Sequence, residues 1–170
     1  GDLTAKAKVE GTSGVTTLVG GGNAEIKDCR WPKSPIFGAI SDLLTIPELK
    51  DPRFDDCRVE FNLSGGEGKT PIVSFKGPAI ELVGHGSTNL VTSNIAYDLT
   101  LAIAPALLAK VPNTPRAAFK TRPDGFGTVA FKVFGTTASP KTDLPARLGK
   151  AVAIEAAKQG LFGRLFKKKQ

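Results

Sequence analysis

Apolar and polar residues alternate with a period of two along most of the chain, the signature of strands that bury one face. Leu3, Ala5, Ala7 and Val9 alternate with Thr4, Lys6, Lys8 and Glu10, and Cys57, Val59, Phe61 and Leu63 alternate with Arg58, Glu60 and Asn62. The clearest run carries Ile95, Tyr97, Leu99, Leu101 and Ile103, with Ala96, Asp98, Thr100 and Ala102 on the opposite side. Val129, Phe131 and Val133 give another, and the stretches 24–30, 72–76 and 79–84 bring the expectation to about seven or eight strands. Turn chemistry separates them: Ser64-Gly65-Gly66-Glu67-Gly68, Gly77-Pro78 and Arg122-Pro123-Asp124-Gly125.

Two segments break the alternation. Ser34-Pro35 reads as an N-cap and first-turn pair, and Ile36, Phe37, Ile40, Leu43 and Leu44 then recur at helical spacing, which predicts an amphipathic helix over about 34–46. A second helix is expected from Asp143 to about Gln159, with Gly160 as its stop. Four prolines between Ala104 and Pro123 exclude a long regular element, so that stretch reads as a loop with room for one helical turn at 105–110. The expected fold class is mainly β with two helices. Residues 1–142 form the sheet body and 143–170 a closing helix and basic tail, all within one domain.

Composition narrows the classes. A chain of 170 residues, 41% hydrophobic and 23% charged, is long enough for one stable core and too apolar for intrinsic disorder. It has no run near the 18 to 20 apolar residues of a membrane helix. It has no Met and begins at Gly1, which reads as a trimmed piece of something longer. The net charge of +7 suggests an anionic partner only until it is located. Nearly all of it falls after residue 140, where Lys141, Arg147, Lys150, Lys158, Arg164, Lys167, Lys168 and Lys169 face only Asp143 and Glu155. The body is close to neutral, and its strand aromatics Phe61, Phe75, Tyr97 and Phe131 are interleaved with charges of both signs, which argues against a nucleic-acid-reading sheet. The tail, where Leu161, Phe162, Leu165 and Phe166 accompany Arg164, Lys167, Lys168 and Lys169, has the composition of a membrane-surface or acidic-partner contact, or of a solvated chain end.

Catalytic chemistry finds little to stand on. The single His, His85, is the one base available to a hydrolytic triad, and it sits between Gly84 and Gly86 in a strand. Cys29, Cys57 and His85 lack the local spacing of zinc ligands. Asp28, Asp55 and Asp56 read as turn residues rather than an acid/base pair, and Gly20-Gly21-Gly22 leads into a strand without the Lys-Ser/Thr of a phosphate loop. No enzyme, metal or cofactor is expected. Cys29 and Cys57 lie in strands on either side of the first helix and read either as a disulfide or as two buried free thiols. A bond would close a loop of about 28 residues and contribute roughly 3 to 4 kcal/mol in the chain-entropy account.

In their order along the chain these pieces resemble the C-terminal region of the AsmA family of bacterial envelope proteins, over about residues 12–166. The resemblance is carried by the glycine-led strand at 20–28, the short helix at 34–46, the strand Phe54-Asp55-Asp56-Cys57-Arg58-Val59-Glu60-Phe61, the glycine-x-glycine strand at 80–90 with the strand at 94–103, and Val133-Phe134-Gly135-Thr136-Thr137-Ala138-Ser139-Pro140 before a closing helix. The chain departs in having Cys29 and Cys57 at positions where small residues are usual, and in a longer 104–123 segment.

The resemblance implies a strongly curved sheet forming an apolar trough for acyl chains. It implies a noncatalytic part in lipid transport between membranes and outer-membrane biogenesis, a periplasmic location, and an inner-membrane anchor contributed by an N-terminal helix. On that reading the trough is lined by Val59, Phe61 and Leu63 of one strand, Val73 and Phe75 of the next, Ile95, Tyr97, Leu99, Leu101 and Ile103 of the longest, and Val129 and Phe131. Its partners are lipid acyl chains or other envelope proteins, the membrane is met through the anchor and the basic tail, and nucleic acid is not a partner. Burying about fourteen methylenes at roughly 0.8 kcal/mol each would hold an acyl chain there. The alternatives are that the same side chains form an ordinary core under the helices, or that the segment caps the sheet and docks another envelope protein. Either trough or cap predicts an exposed edge at the first strand, prone to edge-to-edge pairing.

Overall fold

The computed structural model describes residues 2–30 and 35–149. It is mainly β: β1 (Leu3–Glu10), β2 (Val19–Arg30), β3 (Arg53–Ser64), β4 (Glu67–Lys76), β5 (Ile80–Asn89), β6 (Asn94–Ile103), β7 (Lys120–Thr121), β8 (Gly127–Thr136) and β9 (Ser139–Thr142) form one antiparallel sheet. Neighbours run β1-β2-β3-β4-β5-β6-β8-β7, with β9 also on β8, so the sheet is open and each long strand pairs with the one before it except across β7. Among the described residues nine strands stand where seven or eight were expected. The additional ones are short, and β9 carries Pro140, which has no N–H to donate and therefore sits at an edge.

Register turns the sequence alternation into rows. Leu3, Ile26, Cys57, Phe75, Leu82, Leu101 and Val129 face one another strand by strand, and Ala5, Ala24, Val59, Val73, Gly84, Leu99 and Phe131 form the next row. All lie on one face, which is therefore apolar from β1 to β8. A bulge in β4 places Thr70 and Val73, three apart, on that same face, and Pro71 occupies the bulge where no ladder N–H is needed.

The helix α1 (Pro35–Leu44) matches the expected segment and crosses this face. Phe37 meets Phe54, which meets Phe75, at ring separations of 5.6 and 5.7 Å. Lacking a glycine stop, α1 ends with Thr45 at φ 59 and the Ile46 N–H donating to the Ser41 carbonyl at 3.0 Å. Buried Ser41 is satisfied by donating its hydroxyl to the Ile46 carbonyl at 2.8 Å. Ser34, the expected cap, lies outside the described residues.

The 104–123 stretch, expected as a loop, holds two single-turn helices, α2 (Pro105–Leu108) and α3 (Asn113–Arg116). Prolines forbid a long helix but favour its first turn, and Pro105 opens α2. Arg116 ties the pair together by donating to the carbonyls of Ala109 and Val111 at 2.6 to 3.0 Å. Leu107 and Val111 thereby close the Ile80–Ile103 end of the core. Residues 144–149 are helical, and Leu144 and Leu148 are buried against the core. The remainder of the expected closing helix and the whole basic tail, Arg164, Lys167, Lys168 and Lys169 included, lie outside the described residues.

The two sheet edges differ. Beyond β7 and β9, the β8 edge is closed by Asp143, whose carboxylate accepts from the Lys132 N–H at 2.6 Å and whose own N–H donates to the Lys132 carbonyl at 3.2 Å. Burial pushes the Asp143 carboxyl pKa up, but the Lys132 N–H and then the Arg147 guanidinium outweigh it and hold it below the usual range. At the other edge all eight residues of β1 are exposed.

Candidate functional site: an apolar hollow with a hydroxyl cluster

Under α1 the described residues do not fill the apolar face completely. A hollow of about 290 Å³ lies between Phe37 and the sheet residues Val59, Val73, Phe75, Leu82, Ile95, Tyr97 and Leu99. A second, of about 370 Å³, lies between Ile40, Leu43, Phe131, Thr142 and Leu144, with Asp42 and Lys141 also on its wall. Val133 and Pro140 border both. These are volumes at the lower end of small-molecule sites.

The floor of the first hollow depends on the glycine-x-glycine of β5. Gly84 pairs with Leu99 and Gly86 with Tyr97. A Cβ on Gly86 would come within 2.4 Å of the Tyr97 ring, and one on Gly84 within 2.8 Å of Leu99 Cδ2. The missing side chains let Leu99 and Tyr97 lie down across β5. The Tyr97 ring therefore reaches beyond its own strand, and its hydroxyl is hydrogen-bonded to Thr70 Oγ1 and to Thr88 Oγ1, each at 3.1 Å. Thr70 is only 8% exposed. A polar spot thus sits in an otherwise apolar wall.

The expected trough residues all fall on this face, in three settings. Val59, Val73, Phe75, Ile95, Tyr97 and Leu99 line the first hollow and Phe131 the second. Leu101, Ile103 and Val129 are buried in closed core under the described helices and turns. Phe61 and Leu63 lie half-buried outside both hollows. Phe37, Thr70, Leu82, Val133 and Pro140 were not among the expected lining residues. Leu82 and Val133 were within reach, since each continues the alternation of a recognised strand, whereas Thr70 is polar and separated from Val73 by the bulge.

Cys29 and Cys57 are free thiols, not the disulfide considered from the sequence. In the register Cys57 pairs with Ile26 and Cys29 with Phe54, three residues further along, and the two thiols are still near enough to share a side-chain hydrogen bond. Burial, reinforced by Cys29 nearby, pushes the Cys57 thiol up to about 12.

His85 is on the opposite, polar face, exposed and paired with Asp98, which in turn faces Lys132. The Lys132 ammonium bonded to Asp98 is the main cause holding that carboxyl below its usual range. Asp28 lies 3.6 Å from Arg53, and Asp56 is bonded to Lys27. The three glycines at 20–22 lie inside β2, where a Cβ at Gly20 or Gly22 would come within 2.1 or 2.5 Å of a β1 carbonyl; they serve close strand approach. Among the described residues no cluster of three or more His, Cys, Asp or Glu could hold a metal, and no helix is long and apolar enough to cross a membrane. No family model, curated protein or solved structure matches the chain.

Proposed function

We propose that this chain handles lipid acyl chains without catalysing a reaction on them, as the C-terminal segment of an AsmA-like envelope protein that moves lipid between membranes and serves outer-membrane biogenesis. The observation that carries this reading is the pair of adjoining apolar hollows, left open beneath α1 on a sheet face that is apolar from β1 to β8. Apolar side chains at a hollow of this kind gain free energy when an alkyl chain replaces water. On this reading the sheet curves into a trough, residues 143–170 supply the closing helix and basic tail, and the protein stands in the periplasm on an inner-membrane anchor.

The open β1 edge favours a second reading, a capping module to which another envelope protein adds a strand. Native mass spectrometry on the full chain, mildly purified and then incubated with phosphatidylethanolamine and phosphatidylglycerol vesicles, separates the two. Lipid adducts are expected. A folded chain that carries none, before or after incubation, overturns lipid handling and leaves the capping module.

A further inference from the structure

Resting on that lipid reading, the geometry points to a specific ligand class: an ester-linked acyl chain whose carbonyl oxygen accepts a hydrogen bond from the Thr70–Tyr97–Thr88 cluster while its alkyl part lies on Val73, Leu99 and Val133. Hydrogen counting supports it. Three hydroxyls carry three hydrogens, and the two bonds within the cluster use two of them. The third has no acceptor among the described residues, so the cluster has a donor to spare. Thr70 and Tyr97 both line the hollow, so the spare donor is at its wall whenever Thr88 gives its hydrogen to Tyr97, and a guest carbonyl there selects that arrangement of the bonds.

Charge narrows the ligand further. No Asp, Glu, His, Lys or Arg lines this hollow; a carboxylate or phosphate placed there would lose its water without gaining a counter-ion, whereas a neutral ester needs one donor and nothing more. A saturated hydrocarbon fits the apolar wall but leaves the donor unused. The cluster therefore orients the guest, ester at Tyr97 and alkyl chain towards Phe37.

The test uses the full chain and three probes, monopalmitoylglycerol, palmitate and hexadecane, each read by displacement of N-phenylnaphthylamine. The triple variant Thr70→Val, Tyr97→Phe, Thr88→Val removes every hydroxyl and keeps the shapes, a change that satisfies the cluster rather than orphaning it. Monopalmitoylglycerol should bind the wild type more tightly than palmitate does, and should lose about tenfold in the variant while hexadecane is unchanged. Equal effects on the ester and on hexadecane, or tighter binding of palmitate, overturn the ester assignment while leaving lipid handling in place. Failure of the wild type to bind any of the three overturns lipid handling itself. A readout that needs no variant is the infrared carbonyl stretch of carbonyl-labelled monopalmitoylglycerol on the wild type. A shift to lower frequency relative to hydrocarbon solvent is expected, and an unshifted band sinks the assignment.

Discussion

Leu101 and Leu3 stand in one cross-strand row on one face of one sheet, yet the first is fully buried and the second is 66% exposed. Between them the row passes through Ile26, half-buried, and Cys57, 2% exposed, so the change falls between β2 and β3. The strands do not cause it, because the alternation is the same at both ends. What differs is what lies above: α1, α2 and the 144–149 helix cover β3 to β8, and no described element covers β1. An apolar stripe in a sequence therefore states that a face is available for burial, while the covering elements decide whether it becomes core, hollow or open surface.

The largest expected effect lies at the covered end. Leu101→Ala should cost about 2–5 kcal/mol, because Leu101 has no exposure and its neighbours Leu82 and Val129 are held in place by the same sheet. Urea titration of the variant measures it. A cost below about 1 kcal/mol would mean that this end is as loosely occupied as the hollow beside it, and the contrast between the two halves would fail.

The boundary itself can be probed by pH. Folded Cys57 keeps its proton up to about pH 12, whereas an unfolded thiol releases it near 8.5. Between those values the folded state binds more protons, so its stability declines as pH rises through the window. Stability measured from pH 8 to 11 should fall less steeply in Cys57→Ala than in the wild type. At pH 8 a thiol reagent should modify half-buried Cys29 well before Cys57. Equal labelling rates would place Cys57 on the open side and move the boundary one strand inwards.

The sequence made the strands legible wherever alternation was unbroken, as in β6, whose bounds Asn94–Ile103 agree with the pattern. It failed where a local irregularity resets the period. The bulge at Pro71 hides that Thr70 shares a face with Val73, so β4 reads as 72–76 although it begins at Glu67. β7 and β9, of two and four residues, are too short for any period to declare itself. The hydroxyl cluster was illegible for a different reason. Its members are 27 and 9 residues apart, and the role of Gly86 appears only once register sets Tyr97 beside it. In the same way the matching contexts of the two cysteines did not disclose the three-residue offset at which the strands set them.

The smallest expected effect completes the comparison. Leu3→Ala removes the same atoms as Leu101→Ala, from the same row, but from a side chain that already meets water, so it should shift stability by less than about 0.5 kcal/mol. Urea titration of the full chain gives the number, and repeating it at several protein concentrations asks what covers β1. A cost that stays small throughout means the open end is surface. A cost that grows with concentration means a second copy buries Leu3 by pairing along β1, whose edge N–H and C=O groups are available for it. A cost of about 2 kcal/mol or more, independent of concentration, would mean that the chain covers its own first strand, and the division of the face into closed and open halves would have to be given up.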